Sequence, residues 1–462
     1  MRFFDTRTSS LVPLFEDRVR IYVCGITPYD FSHLGHARSA VVFDTLRRYL
    51  EFRGREVILV QNYTDVDDKI IKRAVKEGKT AKEIAERFIA EFEEDMKALN
   101  VKKPTYSPRV TENIPEIVSF IEKLLEKGHA YQVDNEVYFH VPSFEKYGEL
   151  SKQSLEELNR HRIEPDPRKK DVKDFALWKS AKEEDFIAKA YFNSPWGLGR
   201  PGWHIECSVM SSKFLGVPFE IHGGGRDLIF PHHENERAQT YALFGTEPVK
   251  IWMHNDFLKI SGEKMSKSLG NIVRIRDAIA KHRGEVLRYF LLTAHYRSAL
   301  NYSETELEKA RKAYEYLRHS LLNVDMEIAF LKTFDCQRTK TFDLRSFENE
   351  FISAMDDDLN TPKAIATIHT YANVVNKELH NFNLETLERF LEMMLNFFSV
   401  LGLFEGWKRI RVLKKEEVEL LREREFARKS GDFEKADKIR EKFREKGIVL
   451  LDTKWGTRWR YE

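Results

Sequence analysis

Two imidazoles flank a glycine in His33-Leu34-Gly35-His36, and two ammonium groups sit on the polar segment Lys264-Met265-Ser266-Lys267-Ser268. Imidazoles at i and i+3 share one helical face and can donate to phosphate oxygens. Lysines set between Gly262 and Gly270 can close on a triphosphate and stabilise charge developing at an attacked α-phosphorus. A third stretch lies between them, Phe219-Glu220-Ile221-His222-Gly223-Gly224-Gly225-Arg226-Asp227. Its glycines permit close backbone approach to a flat or charged ligand. Asp227 can accept from a ribose hydroxyl or cap the helix that follows. Taken singly, each stretch also suits a surface histidine pair, a basic loop or a packing turn; together they point to a nucleotide site.

Cys24, Cys207, His232 and Glu236 offer a different chemistry. His232 and Glu236 are at i and i+4, on one face of a helix, and the two cysteines lie beside the ligand loops. One imidazole, one carboxylate and two thiolates form a tetrahedral zinc set. His233 and Glu234 fall off that face and read as supporting or surface residues. Cys336 is isolated in a helical region and reads as buried and structural.

The elements that must hold these groups follow from periodicity. Arg20-Ile21-Tyr22-Val23-Cys24-Gly25 reads as a buried strand, and residues 37–52 carry apolar side chains at helical spacing. His33 and His36 therefore stand where strand gives way to helix, the place where unpaired N–H groups and the helix dipole favour a phosphate. A second strand, Glu56-Val57-Ile58-Leu59-Val60-Gln61-Asn62, completes a βαβ unit and predicts a parallel sheet. Thr64-Asp65-Val66-Asp67-Asp68 supplies caps for one helix running through Ile70, Ala74, Ile84 and Phe88.

Residues 111–201 change character and read as an insertion, and residues 230–238 open a helix. Residues 303–404 are almost continuously helical, a bundle. Beyond Gly406 one charged helix is expected through Ile439 and Phe443 to Gly447, then Ile448-Val449-Leu450-Leu451 and a Trp/Arg-rich end. The expected division is 1–110 and 202–260 for the sheet domain, 111–201 for the insertion, 261–305 for the lysine loop and its support, 306–405 for the bundle and 406–462 for a small module.

The 462 residues carry a formal charge of +2, but from Trp407 onward 18 Lys and Arg face 12 Asp and Glu. That basic end is either a solvated charged helix or a surface for a polyanion such as RNA. Trp455 and Trp459 could stack on bases, Arg428 and Arg458 could meet phosphate or base, and Asp437 and Asp452 could accept from base amino groups. No run approaches the ~20 apolar residues of a membrane span, so a soluble cytoplasmic protein is expected. Three widely spaced cysteines argue against a disulfide framework.

In its His-x-Gly-His and Lys-Met-Ser-Lys-Ser motifs the chain resembles class I aminoacyl-tRNA synthetases. It is similar in particular to the cysteinyl-tRNA synthetases. The resemblance rests on Cys24-Gly25-Ile26-Thr27-Pro28-Tyr29-Asp30, Pro201-Gly202-Trp203-His204-Ile205-Glu206-Cys207-Ser208, His222-Gly223-Gly224-Gly225, and Phe230-Pro231-His232-His233-Glu234-Asn235-Glu236. It implies an α/β fold with a Rossmann-type parallel-sheet catalytic domain and a connective insertion, followed by a helical bundle and a small C-terminal anticodon module.

The resemblance also implies catalytic roles for His33, His36, Lys264 and Lys267, with Gly35, Gly223, Gly224 and Asp227 joining them around ATP. Cysteine would meet Cys24, Thr64, Trp203 and His222, with one Zn2+ on Cys24, Cys207, His232 and Glu236. The implied reaction forms cysteinyl-adenylate from cysteine and ATP with Mg2+, then charges tRNA(Cys), which Arg428, Asp437, Asp452, Trp455 and Arg458 would help bind; a monomer is implied. A zinc ion favours thiolate over hydroxyl, a discrimination beyond the roughly 10–200-fold of an apolar pocket, so no editing domain is expected. The rivals are a cysteine:amino-sugar ligase on the same scaffold and a non-catalytic RNA-binding paralogue.

Overall fold

The computed structural model describes residues 1–153, 167–260, 262–264 and 270–461, with Glu263 and Lys264 described by backbone alone. The chain divides into two compact units, Met1–Glu306 with Asp356–Asn360, and Leu307–Met355 with Thr361–Glu462.

The first unit opens with an antiparallel hairpin, β1 (Arg2–Asp5) and β2 (Ser10–Pro13). Then come β3 (Arg18–Ile26), α1 (Leu34–Phe52) and β4 (Glu56–Tyr63), the βαβ unit that periodicity predicts. Val19, Ile21, Tyr22 and Val23 are buried, as befits a strand covered on both faces. Two helices follow where one was expected, α2 (Asp68–Glu77) and α3 (Ala81–Ala98). The apolar period runs through the break and hides it. Gly78, at φ 63°, ends α2 in the left-handed conformation, and the Thr80 hydroxyl accepts from Glu83 N–H at 3.2 Å to start α3.

After α4 (Ile114–Glu126) the chain builds a separate antiparallel sheet from β5 (Ala130–Val133), β6 (Glu136–Phe139), β7 (Phe175–Ser180) and β8 (Gly199–Pro201), with α5 (Glu183–Ile187) between the last two. It returns through α6 (Trp203–Leu215) to β9 (Phe219–Gly225), α7 (Glu234–Phe244) and β10 (Val249–Asn255). The central sheet is parallel, in the order β10-β9-β3-β4. Its register sets Tyr22 and Trp252 on either side of His222. A smaller sheet, ordered β12-β11-β13, joins β11 (Leu258–Ile260), β12 (Glu263–Lys264) and β13 (Leu300–Tyr302), with α8 (Ile275–His282) and α9 (Gly284–Leu292) between the last two.

The second unit is helical, from α10 (Glu304–Phe334) through α11 (Arg345–Asp356), α12 (Thr361–Glu378) and α13 (Leu384–Leu401). Phe351 and Phe397 stack at 3.9 Å in its core. The charged stretch expected as one helix is two, α14 (Lys415–Lys429) and α15 (Phe433–Glu445). Gly431 at φ 81° makes the turn, and the Asp432 side chain caps α15 by accepting from Lys435 N–H at 3.0 Å. The chain ends in the hairpin β14 (Ile448–Thr453) and β15 (Gly456–Tyr461), whose Leu450 and Trp459 pack on Ile439 and Phe443. Beneath it Glu327, 1% exposed, accepts from Arg458 Nε at 2.8 Å and Arg338 Nη2 at 2.6 Å. No described helix is long and apolar enough to cross a membrane.

Candidate active site

The carboxyl ends of β3, β9 and β10 open on a cavity of about 380 Å³, where an open parallel sheet places its ligands. Its lining includes His33, Gly35 and His36, Trp203 and Asp227, and Cys24. His33 precedes α1 and His36 lies in its first turn, their rings stacked at 3.8 Å. The His33 N–H donates to His36 Nδ1 at 3.3 Å, so the motif helps cap its own helix. Leu34 N–H donates to Val273 O at 3.0 Å, and Ile275 N–H to Ser32 O at 3.0 Å. These bonds seat the histidines against the stretch just after the lysine segment. Lys264 lies in β12, paired with Lys259; Lys267 lies outside the described residues.

Deeper in, Cys24 from β3, Cys207 from α6, His232 from the turn before α7 and Glu236 from α7 bring one donor atom each to within 4.8 Å of all the others. The two sulfurs are 3.9 Å apart, Cys24 Sγ is 3.5 Å from Glu236 Oε1, and His232 Nε2 is 3.0 Å from the same oxygen. Tetrahedral zinc, with bonds of about 2.0–2.3 Å, needs donors separated by about 3.3–3.8 Å. The chemistry of the set suits the ion, and these separations of 3.0 to 3.9 Å bracket that range closely.

Burial pushes the Cys24 thiol well above its ordinary pKa, while the hydrogen bond from Cys24 brings Cys207 down. Of the two sulfurs, Cys207 is therefore the more acidic. Burial works against His232 protonation, but Glu236 and Cys207 together outweigh it and raise the imidazole.

A second set, Cys24, His222, His233 and Glu236, overlaps the first. His233 is a correction to the sequence reading, which set it off the ligand face. It is fully buried, with Nε2 3.2 Å from Cys24 Sγ and Nδ1 2.7 Å from His254 Nε2; Thr6 Oγ1 sits 2.7 Å from the other His254 nitrogen. Helical counting fails here because residues 229–233 form a wide turn, with Phe230 at φ −135° and ψ 132°, and α7 begins only at Glu234. Burial, then neighbouring histidines, lowers His233 well below its ordinary value and takes His254 down to about 3.

Other expected residues are placed as follows. Trp203 lines the cavity and stacks on His232 at 4.2 Å. Asp227 is exposed at the rim, separated from α7 by the turn, so it is no helix cap. Gly223 and Gly224 do not line the cavity. A Cβ on Gly224 would stand 2.8 Å from His233 Cε1, and one on Gly223 would strike the Phe43 ring, so their faces serve protein packing; Gly225 reaches the cavity instead. His222 lies beneath, stacked on Trp252 at 4.6 Å and 2.9 Å from Glu236 Oε2.

Thr64 is buried, accepting from Asn62 Nδ2 at 3.3 Å, and Asp67 alone of that stretch caps α2. Cys336 is half-buried rather than buried.

In the second unit Asp437 and Trp455 are exposed, and Asp452 takes both Nη groups of Arg424 at 2.8 Å and also Arg428. Arg458 and Trp459, expected at the RNA surface, are each 2% exposed: the first is held by Glu327, and the second donates to Arg411 O at 3.0 Å. As neighbours on β15 the two point to opposite faces of the hairpin, and both faces are covered, that of Arg458 by Glu327 and that of Trp459 by Ile439 and Phe443.

Family models describing a class I (C) tRNA synthetase catalytic domain, a DALR domain and a cysteinyl-tRNA ligase anticodon binding domain match residues 10–312, 350–405 and 411–460. A cysteine–tRNA ligase of Archaeoglobus fulgidus is 66% identical over 446 residues, 96% of each chain. One of Thermococcus gammatolerans is 47% identical, over 100% of this chain and 99% of its own. In fold alone, a Mycobacterium tuberculosis methionyl-tRNA synthetase with methionyl-adenylate matches at TM-score 0.60 and 15% identity, covering 83% of this chain and 89% of its own. Relatives of that identity cover 96% or more of the chain, which belongs to the cysteine–tRNA ligase family of class I aminoacyl-tRNA synthetases.

Proposed function

We propose that the chain is a cysteine–tRNA ligase, an enzyme that joins L-cysteine to tRNA(Cys) at the expense of ATP, supported by the names its relatives carry and by the anticodon-domain match at residues 411–460. The observation that carries the reading is the meeting of Cys24 and Cys207, 183 residues apart in sequence, at 3.9 Å under the His33–His36 cavity. A thiol-selecting base lies next to a phosphate-binding helix start.

His33 and His36 donate to phosphate oxygens at the start of α1, where the helix dipole adds positive potential. Lys264 and Lys267 stabilise the charge that grows on the α-phosphoryl group of ATP, which enters with Mg2+. The cysteine carboxylate oxygen attacks that phosphorus, its bond to pyrophosphate breaks, and cysteinyl-adenylate remains. A hydroxyl of the terminal adenosine ribose then attacks the cysteinyl carbonyl carbon, losing its proton as AMP departs with the bonding pair.

Cys24, Cys207, His232 and Glu236 would hold one Zn2+, and the chemistry such an ion supplies is a preference for thiolate over hydroxyl. Trp203, stacked on His232, walls the substrate pocket. Asp227 at the rim would accept from the ribose. Arg428, Asp437, Asp452 and Trp455 form the face offered to tRNA, and the enzyme works as a cytoplasmic monomer.

Cys207→Ser tests the site. Zinc content by elemental analysis and cysteine-dependent ATP–pyrophosphate exchange should both disappear, with the circular dichroism unchanged. Metal and exchange that both survive the change would overturn the assignment.

A further inference from the structure

Arg38 lies two residues beyond the His33–His36 motif on α1, 1% exposed, and lines the cavity. Its Nη2 donates to three backbone carbonyls of a single turn, those of His295 at 3.2 Å, Tyr296 at 3.4 Å and Ser298. Its Nε and Nη1 are buried with no hydrogen-bond partner among the described residues. Burial lowers its pKa against a partly offsetting pull from Asp256, to about 10, so the group stays charged near neutrality.

A buried cation answered by carbonyls on one nitrogen only is a costly way to fill space, and an apolar side chain of similar volume would pack there at less cost. The turn that Arg38 holds is not an isolated one. Tyr296 O also accepts from Asp256 N–H at 2.8 Å, and Leu300 N–H donates to Phe257 O at 3.1 Å. Immediately beyond, β13 pairs with β11, Leu258 opposite Leu300, and β11 pairs with β12, Lys259 opposite Lys264. On the far side of the lysine segment, Val273 and Ile275 are bonded to Leu34 and Ser32, at the very start of α1. The first two turns of this helix and the residue just before them thus reach the flanks of the lysine segment on both sides.

We propose that Arg38 is a positioning residue, holding through the 295–298 turn, β13 and β11 the strand that carries Lys264 at its working distance from His33 and His36. This deepens the proposed function and rests on Lys264 belonging to the ATP site. The substrate is not touched by Arg38 in this role. Its effect is confined to adenylate formation, and the cysteine pocket built by Cys24, Cys207, His232 and Glu236 is unaffected.

The test is a double-mutant cycle in the full chain, read by cysteine-dependent ATP–pyrophosphate exchange on R38M, K264A and the pair. An ångström of misplacement can cost about 100-fold in rate, so R38M should lower kcat by about 10- to 100-fold while leaving the KM for cysteine within about twofold. In the K264A background the same change should cost less than about threefold, since its route to the reaction is already removed. Should R38M fail to fold by circular dichroism, R38Q, which keeps a polar side chain at the site but cannot bond all three carbonyls, replaces it in the same cycle, with the same outcomes expected.

Losses that multiply in the cycle would overturn the proposal, as would a KM for cysteine that rises in step with the fall in kcat. A K264A enzyme with undiminished exchange would instead overturn the reading of Lys264 itself.

Discussion

At Gly25 a hydrogen is the only side chain the backbone admits, because a Cβ there would lie 1.5 Å from the carbonyl oxygen of Asn62. The Asn62 side chain is committed as well, its Oδ1 accepting from Gly25 N–H at 2.9 Å. Strand β3 thereby delivers Cys24 to the metal set with its next residue pressed on β4. Gly25→Ala must push the two strands apart and should lower stability by about 3 kcal/mol or more, read from the urea midpoint. Zinc content should fall with it, since Cys24 moves with the strand.

At this scale residue type and spacing singled out Cys24, Cys207, His232 and Glu236, whose donor atoms the fold brings within 4.8 Å of one another, because few other roles suit two thiols, an imidazole and a carboxylate beside glycine turns. Spacing could not reveal His233 or His254, since their approach depends on the wide turn at residues 229–233 and on the neighbouring strand β10.

Among the elements, β3, α1, β4 and β9 lie where alternation and the 3.6-residue period put them. The two helices that were read as continuous are each broken by a glycine in the left-handed region, Gly78 and Gly431, where the apolar period happens to resume in phase. Such breaks are visible in sequence only as a glycine followed closely by a capping residue, Thr80 in one case and Asp432 in the other.

The link between α14 and the final hairpin is ionic, and its pH dependence has a definite sign. The hydrogen bonds from Arg424 hold the Asp452 carboxyl at about 2, below its ordinary 3.8. A carboxyl depressed by folding adds stability that is fully present above its unfolded pKa and is lost as pH falls through the folded one. The contribution should therefore fade between about pH 4 and pH 2. In Asp452→Asn, urea midpoints should fall less steeply across that window than in the parent, and identical slopes would show that the pair carries no linkage.

For the molecule as a whole, the near-neutral total of +2 conceals a basic stretch from Trp407 onward, where 18 Lys and Arg stand against 12 Asp and Glu. Each cation neutralising a phosphate releases counterions, so tRNA affinity should fall linearly with the logarithm of salt concentration. Exchanging an exposed cation of that stretch, such as Lys454→Gln, should reduce the slope by about one if it meets a phosphate and leave it unchanged if it does not. Filter-binding titrations between low and physiological salt distinguish the two.

The division into units follows the chain less simply than the sequence suggests, for the first unit takes in Asp356–Asn360. Asp356 accepts from Tyr49 and Arg53, Asp357 pairs with Arg2, and Asp358 accepts from Phe4 N–H, Tyr296 and Arg297. Since a ribosome makes protein from the amino end, the unit that begins with Met1 has its last partners only after some fifty residues belonging elsewhere have been synthesised. The contacts of those three aspartates can therefore close only late in synthesis, and the order of translation becomes part of how this enzyme is assembled.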